Sequence, residues 1–243
     1  MTLLRWHHSN RAVLTETLPE AIVLLPIGAT EQHGPHLATG TDWMLAQAVT
    51  EQAATLAHER VSRPLVLAPA LPYGASDHHL PFGGTLSLSP ETLLGLLLDL
   101  TRSLAACGGK RLVIVNGHGG NVGICATAAS AAANRYAVSV AHLDYWRLAR
   151  DLGDTPAPGH AGVFETALML AQDESFVADR APRQEPPANP AVDDVTLHDA
   201  DSWRRIDGYT DHPEHADAAT GRVWFDQLAT ALGDRLITLA EAL

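Results

Sequence analysis

The chain has 243 residues, 46% of them hydrophobic and 18% charged, with a formal net charge of −12; these proportions fit one large domain over residues 1–243 with a sizeable core. The acidity argues against nonspecific binding to nucleic acid or anionic membrane, which needs clustered Lys and Arg, and the apolar stretches are too short or too interrupted to span a bilayer. The two cysteines, Cys107 and Cys125, fit neither a disulfide framework nor a thiolate zinc pattern, and Met1–His8 lacks an apolar signal core, so a cytoplasmic location is expected.

In chain order, Ala21–Leu25 reads as a short buried strand. It runs into a polar loop, Pro26–Asp42, that holds Glu31, Gln32, His33, His36 and Asp42. Glu31 and His33 are two apart, so in extended backbone both point to one face. Asp42 opens a helical segment to about Arg60 and is placed to cap it. A second strand, Leu65–Ala68, leads into a long breaker-rich loop carrying Ser76, Asp77, His78 and His79. Ser89 and Pro90 then start a helix that stops near Gly108 and Gly109. A third strand, Leu112–Val115, breaks into Asn116-Gly-His-Gly-Gly-Asn121. An Ala-rich helix to about Arg135 and a fourth strand, Ala137–Leu143, follow. Glu165 falls on an early turn of a helix after Gly159. Residues 179–192 read as an extended Pro-rich segment, Asp193–Asp201 as a solvated acidic arm, and Ala216–Leu243 as the final helix.

Strands alternating with helices at this spacing predict an α/β fold, a three-layer sandwich around a mainly parallel sheet. Ligands of such sheets sit at the carboxyl ends of the strands, where the polar loops after the first three strands converge. Glu31, His33, Asp42, His118 and Glu165 form a candidate ligand set. Carboxylates and imidazoles without thiolates suit Zn, Mn or Fe(II). Five donors suggest two divalent metal ions sharing one carboxylate, for which Asp42 is the candidate bridge. A metal pair can polarise a carbonyl and activate water near neutral pH, which suits hydrolysis of an amide or related C–N bond.

Taken singly, each residue has a plainer role: a hydrogen-bonded His33 or His118, a helix-capping Asp42, a solvated Glu165, a tight glycine turn at residues 116–121. The glycines after a strand also suggest a phosphate cradle, but the Gly-Lys-Ser/Thr of a P-loop is missing and Val122 interrupts G-x-G-x-x-G. No G-x-S-x-G supports a serine nucleophile. Asp77, His78 and His79 read equally as pocket wall or as exposed turn.

Ile27–Leu37 with Thr41 and Asp42, then Asn116–Asn121, then His160-Ala-Gly-Val-Phe-Glu-Thr166, resemble the creatininase (creatinine amidohydrolase) family in order, over about residues 20–170. Pro81–Leu88 and Asp207–Asp211 add weaker segments of likeness. The resemblance implies a two-metal hydrolase with Glu31, His33, Asp42 and His118 as ligands and Asp42 as the bridge. It makes His160 the catalytic histidine, a proton donor to the leaving nitrogen, and it implies a homo-oligomer, often a hexamer. One departure is informative: creatininase carries a glutamate ligand where this chain has Gly120. Relatives that share the glycine draw the ligand from the later motif, here Glu165. The creatininase pocket tryptophans lack clear counterparts, Trp146 being one candidate. The metal chemistry is therefore expected to persist with a substrate other than creatinine, a small-molecule or short-peptide amide. Relatives include deformylases of flavin-like cofactor pathways and a peptidase that trims a redox-cofactor precursor. A noncatalytic metal- or ligand-binding protein on the same scaffold is the rival reading.

Overall fold

Five parallel strands form one sheet in the spatial order β1-β3-β2-β4-β5. The strands are β1 (Leu3–Arg5), β2 (Ile22–Ile27), β3 (Leu65–Leu67), β4 (Arg111–Asn116) and β5 (Ser139–Asp144). This is a computed structural model, and it describes residues 2–151, 158–188, 197–199 and 201–243. Most of the acidic stretch 193–201 lies outside the described residues.

The central strands are apolar on both faces because both faces are covered. On β2, Ile22 and Leu24 join one core, while Val23, Leu25 and Ile27 join the other. On β4 the same alternation sends Val113 and Val115 to the first core and Leu112 and Ile114 to the second. The first core is closed by α2 (Thr41–Ala57), α5 (Val163–Gln172) and α7 (Ala218–Ala242). The second is closed by α3 (Pro90–Ala106) and α4 (Val122–Tyr136), with Leu14 of α1 (Arg11–Thr17) at its margin. The result is the expected α/β/α sandwich.

Three strand or α-helical elements escape the sequence reading: the edge strand β1, paired to β3 through Leu3–Leu65 and Arg5–Leu67, the helix α1, and the short helix α6 (Ser202–Arg205). One expectation is corrected. Asp42 does not cap α2: the cap residue is Gly40, which makes no side-chain capping bond, and Asp42 lies inside the first turn. Its carboxylate is turned toward the imidazoles of the neighbouring loops instead.

Between β2 and β4 the chain leaves the sheet in opposite directions, from β2 by α2 to β3 and from β4 by α4 to β5. Ligand sites of open parallel sheets form at such a switch point. Close backbone approach brings the start of α2 into that crevice. A Cβ on Gly28 would lie 2.2 Å from Trp43 N, and one on Gly117 would lie 2.4 Å from Asp42 O. Side chains at either position would push Asp42 out of the site.

Candidate metal centre

Six residues predicted from the sequence meet in the crevice. Glu31 and His33 come from the loop after β2, Asp42 from α2, and His118 from the loop after β4. His160 precedes α5 and Glu165 lies in its first turn. Asp42 faces both ways: its Oδ1 is 3.0 Å from His33 Nε2, and its Oδ2 is 3.0 Å from His118 Nδ1. Glu165 Oε2 stands 3.8 Å from His33 Nε2, and Glu31 Oε1 stands 3.3 Å from His118 Nδ1. The cluster thus has two halves, Glu31 with His118 and His33 with Glu165, and Asp42 lies between them.

Backbone hydrogen bonds orient the imidazoles. His33 uses Nδ1 on the Glu31 carbonyl (3.1 Å), and His118 uses Nε2 on the Ala75 carbonyl (3.1 Å). Each donation fixes a tautomer and leaves the other nitrogen facing carboxylates. Two lone pairs and three carboxylates cannot face one another without cations. Both oxygens of Glu31 and Asp42 Oδ2 are buried without a hydrogen-bond partner, an arrangement that costs several kcal/mol when nothing neutralises it (~1–3 per group or more for charges). Protons alone supply one solution. Burial opposes charge on His33, but the Asp42 carboxylate outweighs it and holds the imidazole at about 10. His118 is likewise raised above its usual range, burial being overcome by Glu31 and Asp42. Burial and the Asp42 charge push the Glu165 carboxyl up to about 7. Divalent cations are the other solution, and the donor set of oxygens and imidazoles fits them.

Glu165 is positioned by contacts that sequence spacing does not reveal. Gly162, at the start of α5, has no capping side chain, and Asp211 Oδ1 accepts the Val163 N–H at 2.8 Å in its place. Glu165 Oε2 accepts the N–H of Ala161, a residue held at φ 52°. His36 donates from Nε2 to the Ala161 carbonyl at 3.0 Å and so braces the same turn. Asn116 ties the loop of β4 together, accepting the His118 N–H at 3.0 Å and donating to Asp144 at 2.9 Å.

Two histidines belong to the site although sequence reasoning left them undecided. His79 lies 3.6 Å from Glu31 Oε1, and its Nδ1 faces the Gln32 amide at 2.8 Å. His78 offers a ligand atom within 4.8 Å of those of Glu31 and His118. The signal that could have found them is the His-His pair in a long loop following a strand, the same position that supplies Glu31 and His118 in their loops. Gln32 supports the site through its side-chain amide. It also donates to the Gly208 carbonyl at 2.6 Å. His160 donates Nε2–H to the Gln32 carbonyl (2.9 Å) and turns Nδ1 toward Glu31 Oε1 at 3.5 Å. Burial, with His33 and His79 nearby, keeps its pKa well below the usual histidine range.

Above the cluster opens a cavity of about 1350 Å³ lined by Leu94, Ile124, Trp146, Arg147 and Trp203. The Trp203 ring stands 5.1 Å from that of His160 and 4.7 Å from that of His79.

The creatininase (creatinine amidohydrolase) profile matches residues 7–236. The chain belongs to the creatininase family. It is similar to mycofactocin precursor peptide peptidases, with 49% identity over 117 residues to the Mycobacterium ulcerans protein. Over 157 residues it is 41% identical to the one from Mycobacterium tuberculosis. These matches cover 47% and 61% of this chain and only 46% and 57% of the relatives' own length. A creatinine amidohydrolase from Pseudomonas putida is 34% identical over 196 residues, 69% of this chain and 72% of that protein. A crystal structure of creatinine amidohydrolase superposes with a TM-score of 0.81 at 26% identity over 96% of both chains. A creatininase in its Mn form gives 0.81 at 27% identity, covering 97% of this chain and 98% of that one. The parallel sheet with helices on both faces is therefore the creatininase fold. Within that family, its Gly120 is enforced by packing: a Cβ there would lie 2.2 Å from Ala75 O.

Proposed function

We propose that this creatininase-family protein is a metal-dependent amidohydrolase that cleaves a C–N bond of a short peptide. The observation that carries the reading is Asp42, whose two oxygens face His33 and His118 at 3.0 Å each. Glu31, Asp42 and His118 would hold one divalent ion, and His33, Asp42 and Glu165 the other; Zn, Mn and Fe(II) all suit these donors. When bound, such a pair supplies Lewis-acid polarisation of the scissile carbonyl and a water activated near neutral pH.

The protein's own groups do the rest. His160 is neutral before reaction, with Nδ1 directed at the cluster. It accepts at Nδ1 the proton released as water attacks and returns it to the departing nitrogen. The Gln32 carbonyl holds the opposite edge of the ring, so proton transfer is confined to one nitrogen. The apolar wall of Trp203, Leu94 and Ile124 excludes water from part of the cavity.

A peptide is favoured over a compact small molecule by the volume of the cavity, about 1350 Å³, which exceeds the roughly 300–1,000 Å³ of small-ligand pockets. The likeness to peptidases that act on a mycofactocin precursor peptide points the same way. A homo-oligomeric, cytoplasmic protein is part of this reading.

The test is hydrolysis by metal-reconstituted protein of short precursor-type peptides, other small amides and creatinine, followed by mass spectrometry. Metal-dependent turnover of peptides supports the proposal. Turnover of creatinine alone would replace it with true creatininase activity, and bound metal without turnover on any substrate would favour the noncatalytic rival.

A further inference from the structure

We infer that His78 is an additional, substrate-displaceable protein ligand for the metal position formed by Glu31, Asp42 and His118, an inference that rests on the two-metal reading above. Its ligand atom lies within 4.8 Å of those of Glu31 and His118. Its ring is parallel to that of His118, with an interplanar angle of 5° and centroids 5.6 Å apart.

What separates His78 from the other imidazoles is how its ring is held. His33, His118 and His160 each engage a backbone carbonyl through one nitrogen, and His79 faces the Gln32 amide. Neither ring nitrogen of His78 has a hydrogen-bond partner among the described residues. The half-buried ring nevertheless lines the cavity. The backbone on either side is fixed: Ser76 N–H donates to Ser87 Oγ at 2.8 Å, and His79 N–H donates to the Ser76 carbonyl at 2.9 Å. A rigid turn therefore delivers an imidazole held by ring packing alone, 4.3 Å from the His79 ring and 5.9 Å from that of Trp203. A ligand with no orienting hydrogen bond is held more weakly, because partners of that kind orient a metal-bound histidine and raise its affinity. His78 closes the position while the cavity is empty and yields it to the carbonyl oxygen of the substrate.

The test uses full-length protein stripped with a chelator and titrated with Co(II), comparing wild type with His78→Ala. The visible Co(II) spectrum reports coordination, and chelator competition gives the affinity of each equivalent. Loss of even an outer partner of a ligand typically weakens binding about tenfold or more, so one of two dissociation constants should rise at least roughly tenfold. The spectrum should shift toward lower coordination, and added imidazole should reverse both changes. If wild type takes up two Co(II) and His78→Ala matches it in affinity and spectrum, this inference fails while the two-metal reading stands, even if KM for a peptide rises. If wild type binds no Co(II), the underlying reading fails as well. Should His78→Ala not fold, His78→Gln carries the same comparison.

Discussion

A Cβ on Gly120 would lie 2.2 Å from the Ala75 carbonyl oxygen and 2.5 Å from His118 Nε2. The loops after β3 and β4 are therefore packed backbone against backbone, with His118 held between them. A glutamate at this position cannot be added without moving one loop, and the carboxylate beside His33 comes from Glu165 on α5 instead. Gly120→Glu is expected not to create creatinine hydrolysis. Overpacking should lower stability by about 1–3 kcal/mol, read as a lower melting temperature and poorer metal retention. An unchanged melting temperature together with creatinine turnover would show that the loop has room.

Asp42 and Glu165 should differ in metal stoichiometry. Asp42 stands between both halves of the cluster, whereas Glu165 Oε2 approaches only the His33 side, at 3.8 Å. Asp42→Ala is expected to lose both ions, and Glu165→Gln one, when metal per chain is measured after dialysis. Full metal content in Asp42→Ala would remove Asp42 from the bridging role.

Much of this centre was legible because its residues sit where chain pattern and chemistry coincide. The apolar run of β2 announces a buried strand, and the polar loop after it announces a site. Asn116–Asn121 repeats that logic after β4. What stayed illegible depends on contacts distant in sequence. Leu3–Arg5 is too short to show alternation, and it becomes a strand only by pairing with β3. Asp42 has the residue type of a helix cap, yet the helix already begins at Thr41, and His33 and His118 draw the carboxylate inward. His78 and His79 lie in a loop with no periodicity, so only the folded turn Asp77–Phe82 reveals that they reach Glu31.

Asp211 should control Glu165 from a distance. Its carboxylate supplies the N-terminal cap that Gly162 cannot, accepting the Val163 N–H at 2.8 Å. Asp211→Ala is expected to cost about 1 kcal/mol, typical of a lost cap, and to loosen the first turn of α5. The affinity on the His33–Glu165 side should weaken more than that on the Glu31–His118 side. Asp211→Asn, which keeps an acceptor oxygen, should recover most of both losses. Equal weakening of the two metal equivalents would assign Asp211 a global role instead.

Acid stability should carry a contribution from His36. The ring is 2% exposed, donates to the Ala161 carbonyl, and is held by burial at about 4. In the unfolded chain an ordinary histidine takes up its proton near pH 6.5. Between pH 6.5 and 4 the unfolded state therefore binds more protons at this position than the folded state. Stability falls as the pH is lowered through that window, by up to about 1.4 kcal/mol per pH unit for one histidine. Above pH 6.5 the contribution is fully present and no longer varies. His36→Gln retains an N–H for the Ala161 carbonyl and removes the titration. Its unfolding free energy, measured by urea denaturation at several pH values, should fall less steeply from pH 6.5 to 4 than that of the wild type. His79 and His160 are also held neutral by burial, so the variant keeps a residual slope. Parallel profiles for the two proteins would mean that His36 is already charged in the fold and that the Ala161 turn is braced by an imidazolium.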